Sequence, residues 1–270
     1  MNVVTDEIPW HARRIVYEID EMGAIGAPTC RSYSHRSGRP AKLCVYRPGS
    51  SSHSPQRGVI FIHGGPVPLG DPAPTDWGQY KSWGQLIAAS GLVGFTFDHS
   101  YTDFNRLEDA AQDVEAAVSY IRSNASEFGI DPDRICLWAC SGGGPLLSWV
   151  LRDQPDYVQC IVVYYAYLDL RQKPEIADSM SKDVVDGFSP AAWISKQSAA
   201  DLPILIAKAG LDNIIINQSI DSFVTQAENA GLAVETMVHE TGHHGFDVNN
   251  DDSTSRTIIA RTIEFINQNT

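Results

Sequence analysis

Short, continuously apolar runs alternate with stretches whose apolar residues recur every three or four positions, and this rhythm holds along most of the chain. The runs predict strands over 14–19, 42–46, 58–62, 94–97, 135–138, 160–164, 204–208 and 234–238. Three of them contain the segments VIFI, IVVYY and ILIA, which show no polar alternation, as suits strands covered on both faces of a mostly parallel sheet. From Asn105 onward, Leu107, Ala110, Ala111, Val114, Ala117, Val118 and Ile121 share one helical face, with Glu108 placed to complete a capping box. Further helices are predicted over 77–90, 143–152, 218–230 and 253–267. Such alternation predicts a single doubly wound α/β domain over 1–270, with a mostly parallel sheet of about eight strands that opens on an antiparallel pair. Two stretches break the rhythm: 66–76 is rich in Pro and Gly, and 167–201 is a long polar insertion. Loops at such positions commonly border the ligand site, so both are candidates for substrate contact.

Composition narrows the choice of partner. With 43% apolar residues the chain can build a sizeable core, and 20 Lys+Arg against 33 Asp+Glu give a net charge of −13. That charge, without any basic run, excludes nucleic acid and anionic membrane surfaces as natural partners. The opening MNVVTDEIPW has no signal-peptide pattern and no apolar run reaches the length of a bilayer span, so a cytoplasmic protein is expected. Five cysteines (Cys30, Cys44, Cys136, Cys140 and Cys160) are an odd number without CxxC spacing, and are read as buried free thiols.

The most informative segment is ICLWACSGGGPLLSWV, residues 135–150, where a strand runs into Ser141 and then into three glycines and a helix. Ala139-Cys140-Ser141-Gly142-Gly143 is nearly the G-x-S-x-G nucleophile elbow, whose tight strand-to-helix turn demands small residues two before and two after the serine. A register centred on Cys140 would put Trp138 at one of those positions, so Ser141 is the expected nucleophile. Upstream, VIFIHGGP delivers Gly64 and Gly65 on the loop after a buried strand, where backbone N–H groups can face a developing oxyanion together with that of Gly142. Pro66 has no N–H to offer, which favours Gly65 over Gly64.

A serine nucleophile needs a base, and the base needs an orienting carboxylate. In ILIAKAGLDN, Asp212 lies just beyond a strand; Asp169 is the runner-up, and Asp201 and Asp247 fit less well. The segment MVHETGHHGFD offers His239, His243 and His244, of which His244 is favoured because Gly245 lets the chain turn into the last helix. The same residues satisfy H-E-x-x-H over 239–243, a zinc-protease signature. It follows a strand-like run and contains a glycine, so no metal and no cofactor are expected.

Together HGGP at 63–66, RLEDAAQDVEAAVSYI at 106–121, EFGIDPDRICLWACSGGG at 127–144, LPILIAKAGLDN at 202–213 and HHGFD at 243–247 resemble the α/β-hydrolase family. The resemblance is to its esterase-type members, related to the hormone-sensitive-lipase and carbohydrate-esterase branches, and runs from about Lys42 to the C-terminus. It implies nucleophile Ser141, acid Asp212, base His244, oxyanion donors at Gly65 and Gly142, and a small cap at 167–201. Ala139 in the elbow and Pro66 after the glycines depart from the esterase pattern, the latter toward peptidase-like branches. The expectation is a cofactor-free serine hydrolase of short acyl or acetyl esters, whose partner is a small-molecule ester and whose chain is compatible with a homodimer. The alternatives are a peptidase or amidase and a non-catalytic small-molecule-binding protein of this fold.

Overall fold

The computed structural model describes residues 8–34, 40–49, 54–194 and 202–270. Its strands are β1 (Thr29–Ser34), β2 (Pro40–Tyr46), β3 (Gln56–Ile62), β4 (Val93–Phe97), β5 (Ile130–Cys140), β6 (Val158–Tyr164), β7 (Ile204–Ala209) and β8 (Val234–His239). They form one sheet in the order β1-β2-β4-β3-β5-β6-β7-β8. The β1–β2 and β2–β4 pairs are antiparallel and every later pair is parallel. The helices are α1 (Gly78–Ala89), α2 (Leu107–Ser123), α3 (Ala125–Phe128), α4 (Ser148–Asp153), α5 (Pro174–Ala177), α6 (Lys182–Gly187), α7 (Ile214–Ala230), α8 (Phe246–Asn249) and α9 (Ser253–Asn269).

Helices cover both faces of the sheet, and β5 shows why its sequence lacks polar alternation. Its Ile135, Leu137 and Ala139 join the core formed with α2, α4 and α7, while Cys136, Trp138 and Cys140 join the core formed with α1 and α9. Every one of these side chains leaves water, so either face demands an apolar residue. Among the described residues no helix is long and apolar enough to cross a membrane.

Four expectations need correction. The segment 14–19 is not a strand: the Ile15 N–H donates to Ser82 Oγ and the Val16 N–H to the Asp247 carbonyl, so its alternation records packing against helices rather than pairing. The antiparallel opening is instead made by β1, a polar edge strand in which only Tyr33 is buried. Cys30 faces Cys44 across β1–β2 with their Cα atoms 4.0 Å apart and the two form a disulfide, leaving Cys136, Cys140 and Cys160 as the free, buried thiols. No box opened by Asn105 caps α2: Asp103 caps the 3-10 turn Phe104–Arg106 that leads into it, its carboxylate accepting from the Asn105 N–H.

Candidate active site

Strand β5 ends at Cys140 in the middle of the sheet, and the next residue, Ser141, has φ +51°. A non-glycine residue in this left-handed region is held there by its surroundings, and the result is a sharp turn that lifts the hydroxyl off the sheet. The chain continues as a 3-10 helix over Ser141–Leu147 before α4 begins at Ser148, so the helix predicted from residue 143 starts in a tighter form. Glycine is required at two steps of this turn. A Cβ on Gly142 would lie 2.1 Å from the Gly65 carbonyl oxygen, and one on Gly143 would lie 2.7 Å from that of Ile62. The elbow is therefore pressed backbone to backbone against the HGGP loop.

The other two expected residues arrive from neighbouring loops at the carboxyl edge of the sheet. Asp212 follows β7 and its carboxylate is only 3% exposed. The loop carrying it is tied to the one after β8: the Gly210 N–H donates to the His239 carbonyl and the Leu211 N–H to that of Gly242. His244 stands on this second loop, and Gly245 at φ +73° turns the chain into α8. The structure brings the three together: His244 Nδ1–H donates to Asp212 Oδ2 at 2.8 Å, and Ser141 Oγ–H donates to His244 Nε2 at 2.8 Å. The ring of Tyr165 lies edge-on to the imidazole at 4.8 Å, and Asn249 Nδ2 donates to the His244 carbonyl at 2.9 Å.

The weighed alternatives are engaged elsewhere. Asp169 is buried and paired with Arg171, whose Nε donates to Oδ1 at 2.6 Å and whose Nη2 donates to Oδ2 at 2.9 Å. Asp201 lies outside the described residues. His243 is exposed, with its N–H donating to Asn250 Oδ1. His239 closes β8 and its Nε2 meets the Asp252 carboxylate at 3.1 Å, so His239 and His243 do not share the helical face that H-E-x-x-H requires. The Cys140 thiol packs among Tyr80, Tyr165 and Trp138, and burial pushes its pKa well up, the opposite of an activated thiolate.

Asp247, which with Asp201 fits the acid's role less well in the sequence, sits completely buried beside the site. Its carboxylate accepts from Tyr165 Oη at 2.6 Å, Trp83 Nε1 at 2.8 Å and Gln79 Nε2 at 2.9 Å. Desolvation raises its pKa while these three donors act against that rise. It fixes Tyr165, and through that ring the wall behind His244. Nothing in the local sequence signals this role, because two of the three donors come from α1, far away in the chain.

Among the expected oxyanion donors, the Gly64 N–H donates to Tyr80 Oη at 2.9 Å and is thereby occupied, whereas Gly65 and Gly142 lie in backbone contact beside Ser141. Below the loop, His63 is buried and stacked on His99 with ring centroids 3.4 Å apart and planes 7° apart. His63 Nδ1–H donates to the Gly64 carbonyl at 2.7 Å and its Nε2 accepts from the His99 N–H at 3.3 Å, an arrangement that only the neutral imidazole satisfies. Burial pushes its pKa down from the ordinary 6.5 to about 4. A lowered folded-state pKa means the fold gains full benefit above pH 6.5 and loses it as pH falls toward 4, a loss of about 3 kcal/mol. Urea midpoints measured from pH 7.5 down to pH 4.5 should fall more steeply for the wild type than for His63→Gln; parallel curves would contradict this.

A cavity of about 420 Å³ opens over Ser141 and His244. Its walls come from the 64–68 stretch and Asp71, from Trp77, Gln79 and Tyr80, from Tyr165, and from Gly245, Val248 and Asn249. Two further residues, Trp10 and Arg13, come from the N-terminal segment, which the sequence did not single out. Of the two stretches expected to touch substrate, 66–76 lines the cavity, while the described part of 167–201, up to Ile194, does not. That insertion instead packs on α4 and α7, burying Leu170, Ile176, Val185 and Ala191 in the main core.

The sheet, its flanking helices and the serine just past the carboxyl end of β5 define an esterase-type α/β-hydrolase. The dienelactone hydrolase family profile matches residues 100–269 and the BD-FAE profile residues 43–152. The chain belongs to the dienelactone hydrolase family. It is similar to the esterase LipC of Mycobacterium tuberculosis, at 26% identity over 90% of this chain and 67% of LipC. A probable isoprenylcysteine alpha-carbonyl methylesterase of Arabidopsis thaliana is 26% identical over 42% of this chain, which spans 22% of that longer protein. Among solved structures, the propionate-bound esterase Est2 of Thermogutta terrifontis has the same fold, with TM-score 0.74 and 20% identity over 90% of this chain and 94% of that one.

Proposed function

We propose that this protein is a serine carboxylesterase that cleaves short-chain acyl esters through an acyl-enzyme. The observation that carries the reading is the continuous Ser141–His244–Asp212 hydrogen-bond chain at the floor of the cavity. His244 takes the Ser141 proton as Oγ attacks the ester carbonyl; Asp212 keeps the imidazole proton on Nδ1 and stabilises the imidazolium. The N–H groups of Gly65 and Gly142 stabilise the tetrahedral oxyanion, and His244 returns the proton to the leaving alcohol. Water, deprotonated by the same imidazole, then cleaves the acyl-enzyme to release the acid and restore Ser141.

Cavity size supports the short acyl chain. A volume of about 420 Å³ is at the low end for ligand sites and leaves little room for a long hydrocarbon beside the alcohol half. Hydrolysis of p-nitrophenyl esters across a chain-length series tests this. The expected result is kcat/KM highest for acetate to butyrate and lower by about tenfold or more for decanoate; a maximum at long chains would overturn the short-acyl reading.

A further inference from the structure

One lining residue of the cavity has no part in the acyl-transfer chemistry and differs in charge from its surroundings. The protein carries −13 overall, yet among the described residues lining the cavity Arg13 is a permanent cation, and no described Asp or Glu forms an ion pair with it. Its partners are neutral: Nη1 donates to Asn249 Oδ1 at 2.6 Å and Nε donates to the Ile8 carbonyl at 3.4 Å. A guanidinium has five N–H donors, so three remain for a ligand. Asn249 also donates to the His244 carbonyl at 2.9 Å, which ties the guanidinium at one remove to the loop that carries the base.

Beside it stand two tryptophans. Trp10 and Trp77 meet edge to face with centroids 4.7 Å apart, and both line the cavity although Trp10 remains 52% exposed. Trp77 is fixed by its Nε1–H donating to the Pro72 carbonyl at 2.8 Å. At a cavity wall, the half-exposed indole of Trp10 and the partly buried one of Trp77 offer apolar surface to an aromatic ring.

Building on the esterase reading, we propose that Trp10, Trp77 and Arg13 form a subsite for the alcohol half of the substrate, and that this half is an aryl group bearing a carboxylate. The ring packs on the indoles while the carboxylate accepts hydrogen bonds from the free N–H groups of Arg13. Asp71 also lines the cavity, but it is exposed on the 66–76 loop, where solvent screens it; Arg13 is half-buried and acts more strongly on a bound anion. The carboxylate belongs to the leaving half because the acyl half is short.

A purely structural Arg13, one that merely fastens the N-terminal segment, would affect all esters alike. The segment has other fastenings that let Arg13 variants fold: Ile15 is buried with its N–H on Ser82, and the Val16 N–H is bonded to the Asp247 carbonyl. The test compares 4-acetoxybenzoate with methyl 4-acetoxybenzoate, two acetates that differ in the charge of the leaving half, with p-nitrophenyl acetate as the reference ester. The ratio of kcat/KM for the acid to that for the methyl ester should fall about tenfold in Arg13→Gln and recover in part in Arg13→Lys. Trp10→Ala should raise KM for both aryl esters together. An unchanged ratio in Arg13→Gln, with p-nitrophenyl acetate still hydrolysed by the wild type, overturns the subsite alone. Failure of the wild type to hydrolyse any of the three overturns the esterase reading beneath it.

Discussion

Replacing Ser141 with alanine should lower kcat for p-nitrophenyl acetate by about 10⁶-fold while leaving the unfolding midpoint nearly unchanged. In the proposed mechanism the hydroxyl is the attacking group, and without it His244 has no proton to take. Stability is spared for three reasons. Alanine tolerates φ +51° no worse than serine does, because both carry a Cβ. The bond lost is the one to His244 Nε2, and that imidazole is 42% exposed, so water replaces the hydroxyl as donor. No cavity opens, since only one oxygen is removed. Combining Ser141→Ala with His244→Ala should cost no more than Ser141→Ala alone, because the two act as one unit. Cys140→Ala, by contrast, should retain turnover within about tenfold, since that thiol is packed rather than activated.

Asp212→Asn should cost about 10⁴-fold in kcat with the fold intact, and the structure explains why so conservative a change does so much. The Asn213 N–H donates to Asp212 Oδ1 at 2.6 Å, so that position must remain an oxygen when the carboxylate becomes an amide. The amide NH₂ then occupies the Oδ2 position, 2.8 Å from His244 Nδ1, where it presents a donor to a ring nitrogen that was itself donating. His244 responds by moving its proton to Nε2, which faces Ser141 Oγ. The base then has no lone pair toward the nucleophile. Proton NMR of the imidazole should show the hydrogen-bonded Nδ1–H resonance of the wild type absent from the variant; its retention together with full activity would contradict the role given to Asp212.

The parts of the fold that were legible in the sequence are those where burial dictates residue type on both sides of a strand. VIFI, IVVYY and ILIA could hardly be anything but interior strands, and they lie in β3, β6 and β7 but for Tyr165, which follows β6. β1 escaped notice because an edge strand needs only Tyr33 buried, so TCRSYS reads as a loop. The segment 14–19 misled for the converse reason: Ile15, Val16, Tyr17 and Ile19 are packed into the second core without a neighbouring strand.

The same division holds at the site. That Ser141, Asp212 and His244 would meet was readable because each sits at a fixed offset from a strand end, with glycines forced by backbone contact. What local pattern could not decide was settled by distant partners. Tyr80 occupies the N–H of Gly64, Arg171 and Ser222 hold Asp169 away from the site, and Asp247 meets Gln79 and Trp83 of α1. Trp10 and Arg13 carry no motif at all. They reach the cavity only because Gly78, where a Cβ would lie 2.4 Å from the Ala12 carbonyl oxygen, lets the N-terminal segment cross directly over the start of α1.

Whether Ser141 is a nucleophile activated by His244 can be read from active-site labelling. The full chain would be treated with a fluorophosphonate, digested and mapped by mass spectrometry, with Asp212→Asn and Ser141→Ala treated in parallel. A single adduct on the Ser141 peptide is expected, formed much more slowly in Asp212→Asn and absent from Ser141→Ala. Label on any other residue, or an unlabelled Ser141 in a protein that still hydrolyses p-nitrophenyl acetate, would contradict it.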